Sequence, residues 1–439
     1  MQESAVPTSP GWRALPGTPT ALALTALAVL TVAVGLTVHA AGGGLGTELP
    51  PFFATWAPHL DPRALIALPL FALALLGAIL LARAEIGVLT FLAGALAVTL
   101  LVRLAVAAAR DGIDGFYDVY GGSPEAGNEY LPALPALDSL GTHELLDRFA
   151  ELSPALPIHP SAHPPGMLLL LSALGIDRAG AMATLTISVG ALTVPLTYAL
   201  ARSLNMREAR CRAAALLLAL SPSALLYGVT STDALFGTLG TAAACLLVGT
   251  GLLRRVAGAL ALALASAFSW ALLAIGAFAT IVVGLRRGAR DAVRLALLIA
   301  LALVAFYGAL YTATGFDPLG SVRAANDAYD LGIANARPYA FWLFGSPVAF
   351  AVALGLPTAW FAARALGTGN ATAIGLAAII LAAVVVGVTK AETERIWLFM
   401  GPLGAVAAAA VLPLQRMPLI LAVLAAQALA SGLLLDTIW

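Results

Sequence analysis

Runs of about twenty apolar residues recur along this chain, separated by short turns that are polar or basic. A helix rising roughly 1.5 Å per residue needs about 20 such residues to cross a bilayer's hydrocarbon core. Runs near that length occupy 19–41, 63–82, 86–108, 179–201, 212–230, 234–252, 293–313, 341–364, 371–389, 396–413 and 417–437. The stretch 256–285 reads as two shorter helices broken around Ser269 and Trp270. The pattern predicts an all-α, polytopic membrane bundle of about 11–13 membrane helices. Residues 1–18, with their prolines and serines, read as a tail without structure, and 19–439 as a single transmembrane domain. The first apolar run exceeds the core of a secretory signal and reads as a retained anchor.

Composition supports this class. The chain is 61% hydrophobic and only 10% charged, whereas soluble domains carry about 25% charged residues. Lipid must therefore solvate much of its surface. Lys plus Arg and Asp plus Glu number 23 each, so no net charge suggests a nucleic-acid partner. The two cysteines, Cys211 and Cys245, lie at or within apolar segments and imply neither a disulfide nor a thiol metal site.

The Lys/Arg asymmetry sets the expected orientation. The clusters between Arg202 and Arg212, Arg254–Arg255 and Arg286 to Arg294 are expected in the cytoplasm, and single crossings bring Arg83, Arg364 and Arg416 to the same side. This places the N-terminus inside and the C-terminus outside a cell membrane. Loops 42–62, 109–178 and 314–340 and the turn Lys390–Arg395 then face outward.

The long outer loop differs from the rest of the chain. It carries Asp114, Asp118, Glu125, Glu129, Asp138 and Glu144 among Tyr117, Tyr120 and Tyr130, and three of the five histidines, His143, His159 and His163, lie in it. Loops longer than about 12–15 residues are usually functional or disordered. The helical apolar spacing of Leu145–Phe149 favours short juxtamembrane helices. A solvated loop kept soluble by its acids is the plainer alternative. The loop closes on His159-Pro160-Ser161-Ala162-His163-Pro164-Pro165-Gly166, and prolines are tolerated in a helix's first turn. The apolar run to Gly175 is too short to span, so it reads as an interfacial helix with His163 at its start. His163 could equally cap that helix.

The order of an acidic outer loop, a Pro-Pro element opening a short helix and a span ending in Tyr198-Ala-Leu-Ala-Arg-Ser-Leu, followed by an Arg-rich turn, 220–227 and Thr230-Ser231-Thr232-Asp233, resembles the GT-C superfamily of integral membrane glycosyltransferases. The aminoarabinose transferase and protein O-mannosyltransferase branch is nearest in pattern. The resemblance covers roughly 110–290 well and the C-terminal helices loosely, and three spans precede the loop where the family often has one. It implies transfer of a sugar from a polyprenyl-phosphate donor to a glycan, lipid or protein acceptor on the outer face. Such chemistry needs a carboxylate to take the acceptor's proton and cationic or hydrogen-bonding groups for the departing phosphate. The family's acidic pair followed by an aromatic matches Asn128-Glu129-Tyr130 best. Glu129 is therefore the first candidate base, Asp118 the second and Asp114 the third.

For the phosphate, the turn 389–400 interrupts two apolar runs with Lys390, Glu392, Glu394 and Arg395 on the side where positive charge is sparse. Charge at a span's edge is costly and tends to be functional. Arg395, Lys390 and His163 are the candidate phosphate ligands, although Lys390 and Arg395 could instead pair with Glu392 and Glu394. Tyr130, His159, Arg323 and Arg337 are candidate substrate contacts. His159 and His163 stand four apart, but the prolines argue against one regular helix through both. No cofactor is predicted, and the resemblance leaves a divalent cation open. A secondary transporter or lipid-linked sugar flippase is the rival class, and a membrane scaffold a third.

Overall fold

The computed structural model describes residues 15–437 apart from 59–61, 63, 333 and 388; residues 1–14 of the expected tail lie outside that set. Among the described residues, the regular structure is almost entirely helical. A two-residue antiparallel pair joins Thr55–Trp56 to Leu435–Asp436. Among the described residues seven helices are long and apolar enough to cross a membrane: Thr18–Ala40, Leu65–Arg83, Val88–Asp111, Ala179–Ser203, Trp270–Arg287, Ala289–Thr314 and Leu414–Leu434. Nine qualify if two bent pairs each count as one span.

Several segments expected as uninterrupted spans are broken or short. The run at 212–230 is two helices, Glu208–Ala219 and Pro222–Thr230, bent by 56°. Pro222 starts the second because proline suits a first helical turn and cannot continue a preceding one. The run at 341–364 breaks at Gly355, whose φ of +103° favours glycine, and bends by 116°. Asp233–Leu247, Ala371–Val386 and Leu398–Ala409 are shorter apolar helices of 10–17 residues. Apolar character guarantees burial in lipid or protein, but not a straight path through the bilayer. The break expected near Ser269 and Trp270 falls between Ser266 and Trp270.

Burial sorts the helices. Pro222–Thr230 and Gly401–Ala409 are buried along their whole length, and Asp233–Leu247 along most of it. Thr18–Ala40 and Ala289–Thr314 instead leave most of their leucines and valines exposed, as lipid-facing helices do. Small residues let the inner helices approach closely: a Cβ on Gly190 would come within 2.6 Å of the Ala234 Cβ.

The turns gather at two ends. At one end Arg212 donates to the carbonyls of Ala84 and Ile86, Arg210 to that of Ala409, Arg254 to the Ser203 hydroxyl and Arg287 to the carbonyls of Val248 and Gly249. At the other, the Phe53 N–H donates to Glu394, Arg110 to Thr437 and Arg395 to Asp233. The strand pair joins the 55–56 segment to the C-terminal end there. Hydrogen bonds from Arg210, Arg212, Arg254 and Arg287 thus tie neighbouring interhelical segments together. Residues 15–17, expected to be unstructured, are held where Arg364 donates twice to the Pro16 carbonyl.

Candidate functional site

The loop from Gly112 to Pro165 is a chain of one- and two-turn helices, among them Asp118–Gly121, Leu134–Leu140, Thr142–Asp147 and Ile158–Ala162. Prolines at their first turns restart the chain repeatedly. Leu134, Leu137, Leu145, Leu146 and Phe149 turn inward and give the loop its own apolar floor.

Glu129 is the most enclosed acid of the loop, 1% exposed, and its Oε2 has no hydrogen-bond partner among the described residues. His159 Nε2 lies 2.9 Å from Glu125 Oε1 and 3.7 Å from Glu129 Oε1. Burial pushes the Glu129 carboxyl above the ordinary carboxylate range. Burial also opposes ionisation of Glu125, but hydrogen bonds from His159 and Asn128 outweigh it and hold that carboxyl low. For His159, burial disfavours the charged ring, yet Glu129 and Glu125 together lift it above its ordinary value. The arrangement is one imidazole between two unequal carboxylates, the nearer of which is held low and the more buried of which is raised.

A second charged group meets the first from remote parts of the chain. Arg395 Nη1 donates to Asp233 Oδ2 at 2.7 Å and Nη2 to Glu392 Oε2 at 3.2 Å. Arg337 Nη2 reaches the other Glu392 oxygen at 3.0 Å, and its Nη1 donates to the Lys390 carbonyl. Ala391 and Glu392 both have positive φ, +67° and +59°, a conformation disfavoured for side chains with a Cβ and concentrated at functional sites. It turns the Glu392 carboxylate back between the two arginines. The charge of Arg395 acts on Glu129, His159 and His163, so the loop and the 387–400 turn converge. Glu394, buried beside them, accepts from the Phe53 N–H at 2.8 Å, and burial pushes its carboxyl up to about 7.

His163 connects this polar region to an apolar one. Its ring lies 6.5 Å from that of Tyr130 and 5.4 Å from that of Phe236, which in turn lies 6.4 Å from Phe268. Burial pushes His163 down to about 4, so the ring is neutral at pH 7. Phe268, with Pro164, Leu169, Leu264, Phe306 and Phe316, lines a cavity of about 280 Å³ in which every lining residue is apolar or glycine. The helix Gly166–Leu174, expected as a short interfacial element, forms one wall. The Gly166 N–H donates to the Ala267 carbonyl at 2.8 Å, and a Cβ there would lie 2.3 Å from that oxygen. Only glycine permits this approach.

The ten residues singled out from sequence therefore separate. Glu129, Tyr130, His159, His163 and Arg395 come together. Asp118 is half-buried and faces the glycine turn that follows it, and Asp114 is exposed and accepts from the Tyr117 hydroxyl at 2.6 Å. Arg323 is exposed on the helix Pro318–Leu331. Arg337 and Lys390 fasten the turn: Lys390 Nζ donates to the Asn335 carbonyl at 2.8 Å and lies 5.8 Å from the centre of the Tyr329 ring. The expected alternative, Arg395 paired with Glu392, is present, whereas Glu394 binds backbone instead. Sequence reasoning passed over Asp233, Glu392 and Glu125 as site residues. An acid opening an apolar helix after Ser231 and Thr232 was the available signal for Asp233; Glu125 had none beyond membership of the loop. Among the described residues no group of three or more His, Cys, Asp or Glu is arranged to hold a metal ion.

No protein-family model matches the chain, and no curated protein matches it.

Proposed function

We propose that the protein is a glycosyltransferase of GT-C type, moving a sugar from a polyprenyl-phosphate donor to an acceptor at the outer face of a cell membrane. One observation carries the reading. An enclosed carboxylate with an open oxygen, Glu129, adjoins the ring series Tyr130, His163, Phe236 and Phe268, which leads into an apolar cavity. A substrate with a polar head and a long apolar tail matches that gradation. In this reading Glu129 takes the proton of the acceptor hydroxyl as its oxygen bonds to the anomeric carbon. The carbon–oxygen bond to phosphate breaks with inversion, and the phosphate leaves as an anion. Neutral His163 is placed to donate a hydrogen bond to that phosphate. Arg395, already held by two carboxylates, supplies positive potential rather than a free fork.

Purified protein in lipid nanodiscs, given radiolabelled polyprenyl-phosphate sugars and candidate acceptors, tests the reading. Transfer by the wild type that is lost in Glu129→Gln is the expected outcome. A transporter is the second reading, favoured by the two bent helix pairs and the charged turn between apolar helices. Vectorial uptake into proteoliposomes without any transfer would replace the first reading with the second.

A further inference from the structure

A second concave site lies at the opposite end of the bundle. The turn between Leu65–Arg83 and Val88–Asp111, the start of the helix Glu208–Ala219 and the segment Leu414–Met417 enclose a cleft of about 330 Å³. Its charged lining consists of Arg83, Glu85, Glu208 and Arg212, and Leu414 and Met417 are among its apolar walls.

The four charges are not equivalent. Glu208 and Arg212 are satisfied within the protein. Arg212 Nε donates to Glu208 Oε1 at 2.8 Å, while the Tyr198 hydroxyl donates to Glu208 Oε2. The two remaining Arg212 nitrogens donate to the carbonyls of Ala84 and Ile86, at 3.1 and 2.6 Å. The guanidinium also lies over the Phe91 ring at 4.9 Å. Arg212 thus anchors the 84–86 turn from below. Arg83 and Glu85 flank Ala84, are exposed, and have no side-chain ion pair or hydrogen bond among the described residues. A fixed turn therefore presents one free cation and one free anion at the mouth of a cleft with apolar walls.

We propose that this cleft binds the headgroup of a zwitterionic aminophospholipid from the adjoining leaflet. Arg83 takes the phosphate through its paired donors. Glu85 accepts hydrogen bonds from the primary ammonium, and the upper acyl chain lies along Leu414 and Met417. The cleft's balanced charge disfavours a purely anionic headgroup. A quaternary ammonium has no N–H to donate, so choline lipids lack the Glu85 bond. The site is independent of the reading given for the outer cluster.

Native mass spectrometry of the purified full chain in micelles, titrated separately with phosphatidylethanolamine, phosphatidylcholine and phosphatidylglycerol, tests the proposal. Wild type should retain the ethanolamine lipid about tenfold more than either of the others, the scale set by one charge-assisted hydrogen bond. Glu85→Gln should lower ethanolamine retention to the choline level, and Arg83→Gln should weaken both zwitterionic lipids. Ala209→Trp, which fills the cleft from an exposed lining position, should weaken all three. Equal retention of the three lipids by wild type, preference for phosphatidylglycerol, or an ethanolamine preference unchanged in these variants would each overturn it.

Discussion

Asp233 and Arg395, 162 residues apart, meet through a 2.7 Å hydrogen-bonded ion pair whose side chains are 9% and 7% exposed. The pair fastens the start of the helix Asp233–Leu247 to the turn that carries Glu392 and Glu394. Removing one partner of such a buried pair costs about 3–5 kcal/mol. Because Glu392 still contacts Arg395, Asp233→Asn should fall near the lower figure. Thermal unfolding of the purified protein measures this. The comparison is Arg148→Ala, which breaks a solvent-exposed pairing with Glu144 and Glu151 and should shift the melting temperature far less. If Arg148→Ala proves the more damaging, the pair does not hold the site together.

Glu129→Gln should leave folding intact, because the amide is nearly isosteric and Oε2 has no hydrogen-bond partner among the described residues. Sugar transfer should fall about 10²–10⁴-fold, the scale of general-base catalysis. With burial raising the Glu129 carboxyl, the wild-type rate should climb with pH through a limb above the ordinary carboxylate range. Residual Glu129→Gln activity that kept the same limb would move the base to another acid, with Asp118 next in order.

Glu394 links pH to stability. Its folded value of about 7 exceeds the ordinary value of about 4.3. The folded state therefore holds the extra proton between those values. Stability from this group is complete below about pH 4, declines as pH rises towards 7 and is level above that. Melting temperatures of wild type and Glu394→Gln across this range should differ in slope, with the flatter profile in the variant. Parallel profiles would show that Glu394 titrates like an exposed acid.

At Gly166 a side chain would strike the Ala267 carbonyl, a backbone atom that cannot rotate away. Gly166→Ala should destabilise by about 1–3 kcal/mol, as overpacking generally does. The same change should distort the apolar cavity beside Phe268 and weaken binding of a polyprenyl phosphate. Unfolding and a lipid-binding titration report on the two effects separately. An unchanged melting temperature would mean that the turn at Ala267 yields easily.

Cys211 and Cys245 are buried, so the wild type should react little with a membrane-impermeant maleimide. Ser139 and Thr368 are exposed at opposite ends of the bundle. In intact cells Ser139→Cys should label and Thr368→Cys should label only after permeabilisation. The reverse result would overturn the orientation expected from the Lys/Arg asymmetry.

Glu129, His159 and His163 were legible as candidates because acids, histidines and paired prolines stand out in a chain with so few polar residues. Arg395 was legible as a charge at a span's edge. Their convergence was not legible, nor were the partners Asp233 and Glu392, because pairings across 162 residues leave no local signature. Asp114, the third candidate base, and Arg323, a candidate substrate contact, are both exposed and outside the cluster. Local sequence distinguishes a polar residue from an apolar one, but not an inward-facing acid from an outward-facing one.

The number of spans was not legible in the sequence, with seven to nine qualifying among the described residues where about 11–13 were expected, whereas the membrane class and the largely helical fold were. These follow from hydropathy and charge summed over each segment, which water and lipid read without reference to the rest of the fold. The tertiary structure decided which apolar runs are bent or shortened, which acid is enclosed and which cations are already engaged. Those outcomes depend on burial and on partners distant in the chain, so they arise only once the helices have packed.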